Sequence, residues 1–258
     1  MLTDRLPTDV VELRSLAGQV DEEVRGFRAR LAAGEQFTHR DADQLRSLLD
    51  ARDEITAACR ELEHQALRRG EGGCGSKRVV AAAHEAGHAV ALVWFDGHVY
   101  TAEVFVPENG EPLVGHDGWR WKGHCRAAPL STVTDTCRGV VTAAGPAAEA
   151  VALFGQSPTP AQCDRVLAGQ RDHRELTQFA LSASTTVSDM LAAALPIVRR
   201  CWPAIARLAI EMDAGKVISH ADVCAALGLS KDRQMHGFEL ANLRAGLRAV
   251  PEPTCHRV

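Results

Sequence analysis

The sequence predicts an α+β chain that is mostly helical, and three observations carry that prediction. Long stretches repeat their apolar residues with a helical period and are punctuated by glycine and proline. One segment, Val99 to Val106, alternates apolar and polar side chains as a half-buried strand does. The composition, 46% apolar and 24% charged over 258 residues, supports a sizeable core in one medium domain with an appendage, or in two small domains.

Residues 1–69 read as an N-terminal helical hairpin. Pro7 suits a first turn, and Val10, Leu13, Val20, Val24, Phe27 and Leu31 keep a helical period until Gly34. Thr38 followed by Asp41 is an N-cap signal for a second helix, whose stripe is Leu45, Leu48, Leu49, Ile55, Ala58 and Leu62. Gly70-Glu71-Gly72-Gly73-Cys74-Gly75 then reads as a flexible linker over 70–76. A main domain over 77–250 follows, with a flexible tail over 251–258.

Within the main domain, Ser76 is placed to cap a helix running to about Phe95, and Asp96-Gly97 turns the chain into the strand. Pro107–Gly110 reads as a tight turn before a return strand near Leu113–Gly115, giving a small β-hairpin. The glycine- and tryptophan-rich stretch 117–123 is either a flap over a cleft or a loop pinned by its two aromatics. Ser131 opens a helix that closes at Gly155, and Gln156–Gln162, with two prolines, reads as loop. Further helices are expected from Arg171 toward Leu181 and around 185–213, 219–227 and 236–249.

Charge and cysteine usage exclude several function classes. The net charge of −4 gives no reason to expect nucleic-acid binding. No N-terminal signal and no apolar run of about 18 residues is present, so a cytoplasmic protein without membrane insertion is expected. Eight cysteines without a CxxC pair argue against a zinc ribbon and a disulfide framework. His124-Cys125 and Cys255-His256 invite a cysteine-protease reading, yet such dyads assemble in space rather than by adjacency.

The chemistry concentrates in His84-Glu85-Ala86-Gly87-His88, inside an apolar, alanine-rich run. Helical positions i and i+4 share a face, so both imidazoles reach one metal ion. Two histidines and a glutamate are costly to bury without partners, which favours a site over a chance occurrence. A catalytic zinc centre takes three protein ligands and leaves a position for water, and Glu85 is placed to take that water's proton. The position six residues after His88 is Trp94, so a third histidine of metzincin type is missing.

Four stretches in order resemble the FtsH-type peptidase domain of the membrane-anchored AAA+ proteases. They are His84–Ala89; Val104–Pro107 with Gly110 and Gly115; Ala144–Ala150 through Gly155, with Pro146 in place of the usual arginine; and Gly169–Asp172 with Thr177 and Ala180. The resemblance covers about residues 77–215 and implies a zincin-like helical peptidase domain. It implies Zn2+ held by His84, His88 and Asp172, with Asp164 as the alternative third ligand. Glu149 would orient a ligand or a water. No ATPase module or membrane anchor accompanies the domain, so the implied activity is ATP-independent hydrolysis of peptides or unstructured protein segments. The alternative is a zinc-binding pseudopeptidase that captures peptides without cutting. The helical hairpin is the natural candidate for substrate choice, a partner, or homo-oligomerisation.

Overall fold

Asp9 and Thr38 open the first two helices of the computed structural model, which describes residues 6–7, 9–35, 38–73, 76–105, 122–128, 134–168 and 170–252. The Asp9 carboxylate accepts from the amide of Val11 at 2.6 Å and caps α1 (Val10–Ala32). At the start of α2 (His39–Arg69), Asp41 N–H donates to Thr38 Oγ1 at 3.2 Å while Thr38 N–H donates to Asp41 Oδ2 at 2.9 Å. Leu13, Val20, Val24 and Phe27 pack with Leu48 and Ile55 into a small core.

The chain divides into two compact units, 1–65 and 66–258, so the break falls inside the last turns of α2 rather than at a linker. Leu67 explains the position: it is buried in the second unit's core, and its carbonyl accepts the Trp202 indole N–H at 2.7 Å. The expectation of a flexible stretch after residue 69 is corrected for the described residues 70–73. Gly73 N–H donates to Leu153 O at 2.9 Å, and a Cβ on Gly72 would stand 2.7 Å from the Phe154 carbonyl carbon. Glycine serves close approach here, not mobility.

The second unit is built around α3 (Lys77–Trp94), which Ser76 caps as expected. Apolar side chains lie buried on nearly every face of it, which makes it a central helix. Against it pack α4 (Asp135–Phe154) and α8 (Trp202–Asp213). The α3–α4 crossing is unusually close at Gly87, where an added Cβ would stand 2.5 Å from Ala144 O and 2.7 Å from Ala148 Cβ. Thr134 caps α4, three residues later than the expected start at Ser131, and Gly155 closes it. Pro146 sits inside this helix and offers no N–H to the Thr142 carbonyl one turn back.

Around this pair lie α5 (Pro160–Leu167), α6 (Arg171–Ser182), α7 (Val187–Arg200), α9 (His220–Ala226) and α10 (His236–Ala245). α5 corrects the expected loop over 156–162: Thr159 and Gln162 form a capping box, and Pro160 occupies the first turn, where its missing N–H costs nothing. Arg244 of α10 donates through Nε to Trp94 O at 2.9 Å, holding the C-terminal end of α3. Six of the cysteines lie among the described residues, and all six are free thiols.

A two-stranded antiparallel sheet joins β1 (Val99–Phe105) to β2 (Lys122–Ala127). The strand partner thus comes from the end of the expected flap or loop. The expected turn at 107–110 and return strand at 113–115 lie outside the described residues, as do most of 117–123 and the tail from 253. Ala102 N–H donates to Ile218 O and accepts Ile218 N–H in return, so the outer edge of β1 is occupied at its centre. No single helix among the described residues is long and apolar enough to cross a membrane; the bent pair α6–α7 meets that test only jointly.

Gly87→Ala is expected to lower the stability of the second unit by about 1–3 kcal/mol, because the packed crossing must open to admit one methyl group. Gly26→Ala, on α1 where an added Cβ meets nothing within 4 Å, is expected to raise the stability of its own unit by about 0.5–1 kcal/mol. Urea unfolding followed at each unit checks both signs.

Candidate metal centre

One turn of α3 separates His84 from His88, and their rings meet edge to face with centroids 4.7 Å apart. Each Nδ1 is already committed. His84 Nδ1 lies 2.9 Å from Glu149 Oε2, and His88 Nδ1 lies 3.0 Å from the Val141 carbonyl oxygen. Both partners are acceptors without a proton of their own, so both Nδ1 atoms carry hydrogen and donate it. In the neutral rings this turns two Nε2 lone pairs toward each other at 3.0 Å. Asp172, from the first turn of α6, adds a third acceptor: its Oδ2 lies 2.9 Å from His84 Nε2 and 3.6 Å from His88 Nε2.

Three converging acceptors with no donor among them call for a positive charge at their centre. His84, His88 and Asp172 form a group that can hold a metal ion, with their ligand atoms within 4.8 Å of one another. Ligands at 2.0–2.1 Å around a tetrahedral ion stand about 3.3 Å apart, and the triangle of 2.9, 3.0 and 3.6 Å brackets that figure. The side chains retain 13%, 15% and 18% exposure, so the group is partly accessible to solvent. Asp164 plays no part; it lies exposed on α5.

Electrostatics follow from this geometry. Burial works against a proton on His84, but Asp172 and Glu149 outweigh it and raise its pKa well above 6.5. His88 is raised in the same way, chiefly by Asp172. Burial would raise Asp172, yet the two imidazoles hold its carboxyl far below the usual carboxylate range. Without metal, His84 stabilises the fold below about 6.5 and loses that contribution as pH rises through its raised pKa. Asp172 stabilises it above about 3.8 and loses that contribution as pH falls.

Glu85, the next residue along α3, reaches β2 at Gly123 and also feels the charges of His84, His88 and Asp172. It is buried, and burial raises its pKa above the ordinary 4.5. Gly123 makes the space: an added Cβ there would stand 2.5 Å from Glu85 Oε1. Because Ala102 spends its backbone groups on Ile218, Ala102 and Cys125 form a non-hydrogen-bonded pair across the sheet. The backbone groups of Cys125 and Gly123 therefore point away from β1, along the edge beside Glu85. Among the described residues β2 pairs with β1 alone.

The Cys125 thiol is no nucleophile: burial, with Glu85 beside it, pushes it up to about 12. His124 stands on the opposite face of the sheet, 3.4 Å from Glu103. The sequence reading missed Gly123, Gly145, Gln170 and the Val141 carbonyl. An added Cβ on Gly145 would stand 2.5 Å from His88 Cε1 and 2.8 Å from His84 Nε2, so this glycine is the floor of the site. Its only sequence signal was its place in the Ala144–Ala150 stretch.

No protein family, no curated protein and no solved structure matches the chain.

A divalent ion must displace the protons held between the imidazoles, so its affinity is expected to fall steadily from about pH 8 to about pH 5. The accompanying proton release is read from the buffer dependence of the binding heat in calorimetry. Glu149→Gln is expected to weaken binding about 10- to 100-fold by loosening His84.

Proposed function

We propose that the protein is a zinc metalloendopeptidase that cuts peptides or unstructured protein segments without ATP. The observation that carries this reading is the triangle of His84 Nε2, His88 Nε2 and Asp172 Oδ2, with a protonatable carboxylate, Glu85, on the adjoining residue. Two nitrogens and one carboxylate oxygen, partly accessible to solvent, suit zinc better than the harder, all-oxygen cations. Bound there, zinc supplies an acidified water and polarises a carbonyl.

The chain's own residues supply the rest. Glu149 and the Val141 carbonyl hold the two imidazoles in the Nδ1–H tautomer, so both Nε2 lone pairs stay aimed inward. The Glu85 carboxylate accepts a proton from the attacking water and returns it to the leaving amide nitrogen. Burial lifts its basicity toward that of the group it must deprotonate. The outward backbone groups of Gly123 and Cys125 offer an extended peptide main-chain hydrogen bonds beside Glu85. The outer edge of β1 is occupied at its centre by Ile218.

The likeness to FtsH-type peptidase domains supports this reading through the motif and the downstream aspartate. A cytoplasmic setting and a substrate-selecting or oligomerising role for the N-terminal helical pair belong to the same proposal.

The test is hydrolysis of unfolded casein by the zinc-loaded chain, with and without a chelator. Glu85→Gln is expected to keep the metal and lose about 100-fold or more in kcat. A Glu85→Gln variant that cuts at the wild-type rate would falsify the mechanism. Zinc binding by the wild type with no cleavage of any unfolded substrate favours a pseudopeptidase.

A further inference from the structure

We infer that Gln170 is a positioning residue of this centre, tying the helix that carries Asp172 to the carboxylate that orients His84; the inference rests on the metal reading above. Gln170 occupies the N-cap position of α6 but makes no side-chain cap hydrogen bond. Its Nε2 donates instead to Glu149 Oε2 at 2.9 Å. The same oxygen accepts His84 Nδ1–H at 2.9 Å.

The orientation of the amide is fixed by that partner. A carboxylate oxygen accepts only, so the NH2 group faces Glu149 and the carbonyl faces away. Oε1 is then buried, and among the described residues it accepts no hydrogen bond. Both choices cost stability. A serine, threonine or aspartate would cap the helix, and an apolar side chain of equal length would leave no buried orphan acceptor. A residue that breaks two local rules at once, beside a ligand set, is serving that set.

What it does there follows from the connectivity. Asp172 lies two residues on, at the start of the same helix, and reaches His84 Nε2 at 2.9 Å. Gln170 pins that start to Glu149 of α4. Without the bond, Glu149 loses one of the two donors that hold Oε2, and the first turn of α6 loses a tie to α4. The third ligand and the tautomer-setting carboxylate are thus held by one side chain.

The test titrates the full metal-free chain with Zn2+ alone, in competition with a chromogenic chelator, and follows thermal unfolding of each metal-free variant. Gln170→Met is expected to weaken Zn2+ binding about 10- to 100-fold while the metal-free midpoint stays or rises. In a Glu149→Gln background the same change is expected to add less than about twofold, because it acts through Glu149. Unchanged affinity in Gln170→Met overturns the inference, as do losses that multiply in the double variant. A parallel fall of affinity and metal-free midpoint assigns Gln170 a merely structural role and also overturns it. If the wild type itself takes up no Zn2+, the metal reading and the inference fall together.

Discussion

The close crossing of α3 and α4 is the constraint on which the site depends. Gly87 lets the two helices approach until Ala144 and Ala148 lie against its backbone, and Gly145 keeps the space where the imidazoles stand. Each imidazole is then pinned from α4, one by the Val141 carbonyl and one by Glu149. Side chains on a looser crossing would rotate and pair their lone pairs with water. Here they cannot, so lone pairs that repel one another are forced to converge. The convergence of these groups, which could hold a metal ion, is therefore a consequence of helix packing at small residues.

That origin explains what could be read from the sequence. The His84–His88 pair and the Ser76 cap depend on helical spacing alone and were visible. Asp172 lies in the first turn of α6 and Asp164 midway along α5, and the sequence favours Asp172 through its helix-start position and downstream pattern while leaving Asp164 as an alternative. The difference is tertiary: α6 packs on α4, which brings Asp172 to the histidines, while α5 leaves Asp164 in solvent. The strand Lys122–Ala127 is not legible in the sequence, because Gly123 reads as the end of a loop. Its glycine character reflects contact with Glu85, a residue far away in sequence. Gly72 and Pro160 misled in the same manner, since glycine serves tight packing as readily as flexibility and proline starts helices as well as breaking them.

The division of labour between the two faces of α3 has a further consequence. His84 and His88 meet α4 and α6, whereas Glu85 meets β2, so these side chains rest on different neighbours. Two of the three ligands belong to one helical turn and order themselves locally. The third arrives on α6, which packs on α4. An ion bound by all three spans α3 and α6, and it stabilises the arrangement in proportion to the logarithm of its free concentration over its dissociation constant, about 4 kcal/mol at a thousandfold excess. Loss of the ion would release that tie and leave Glu85 where Gly123 holds it. Glu85 is thus placed by α3 and β2 alone, while the triangle of His84, His88 and Asp172 joins α3 to α6.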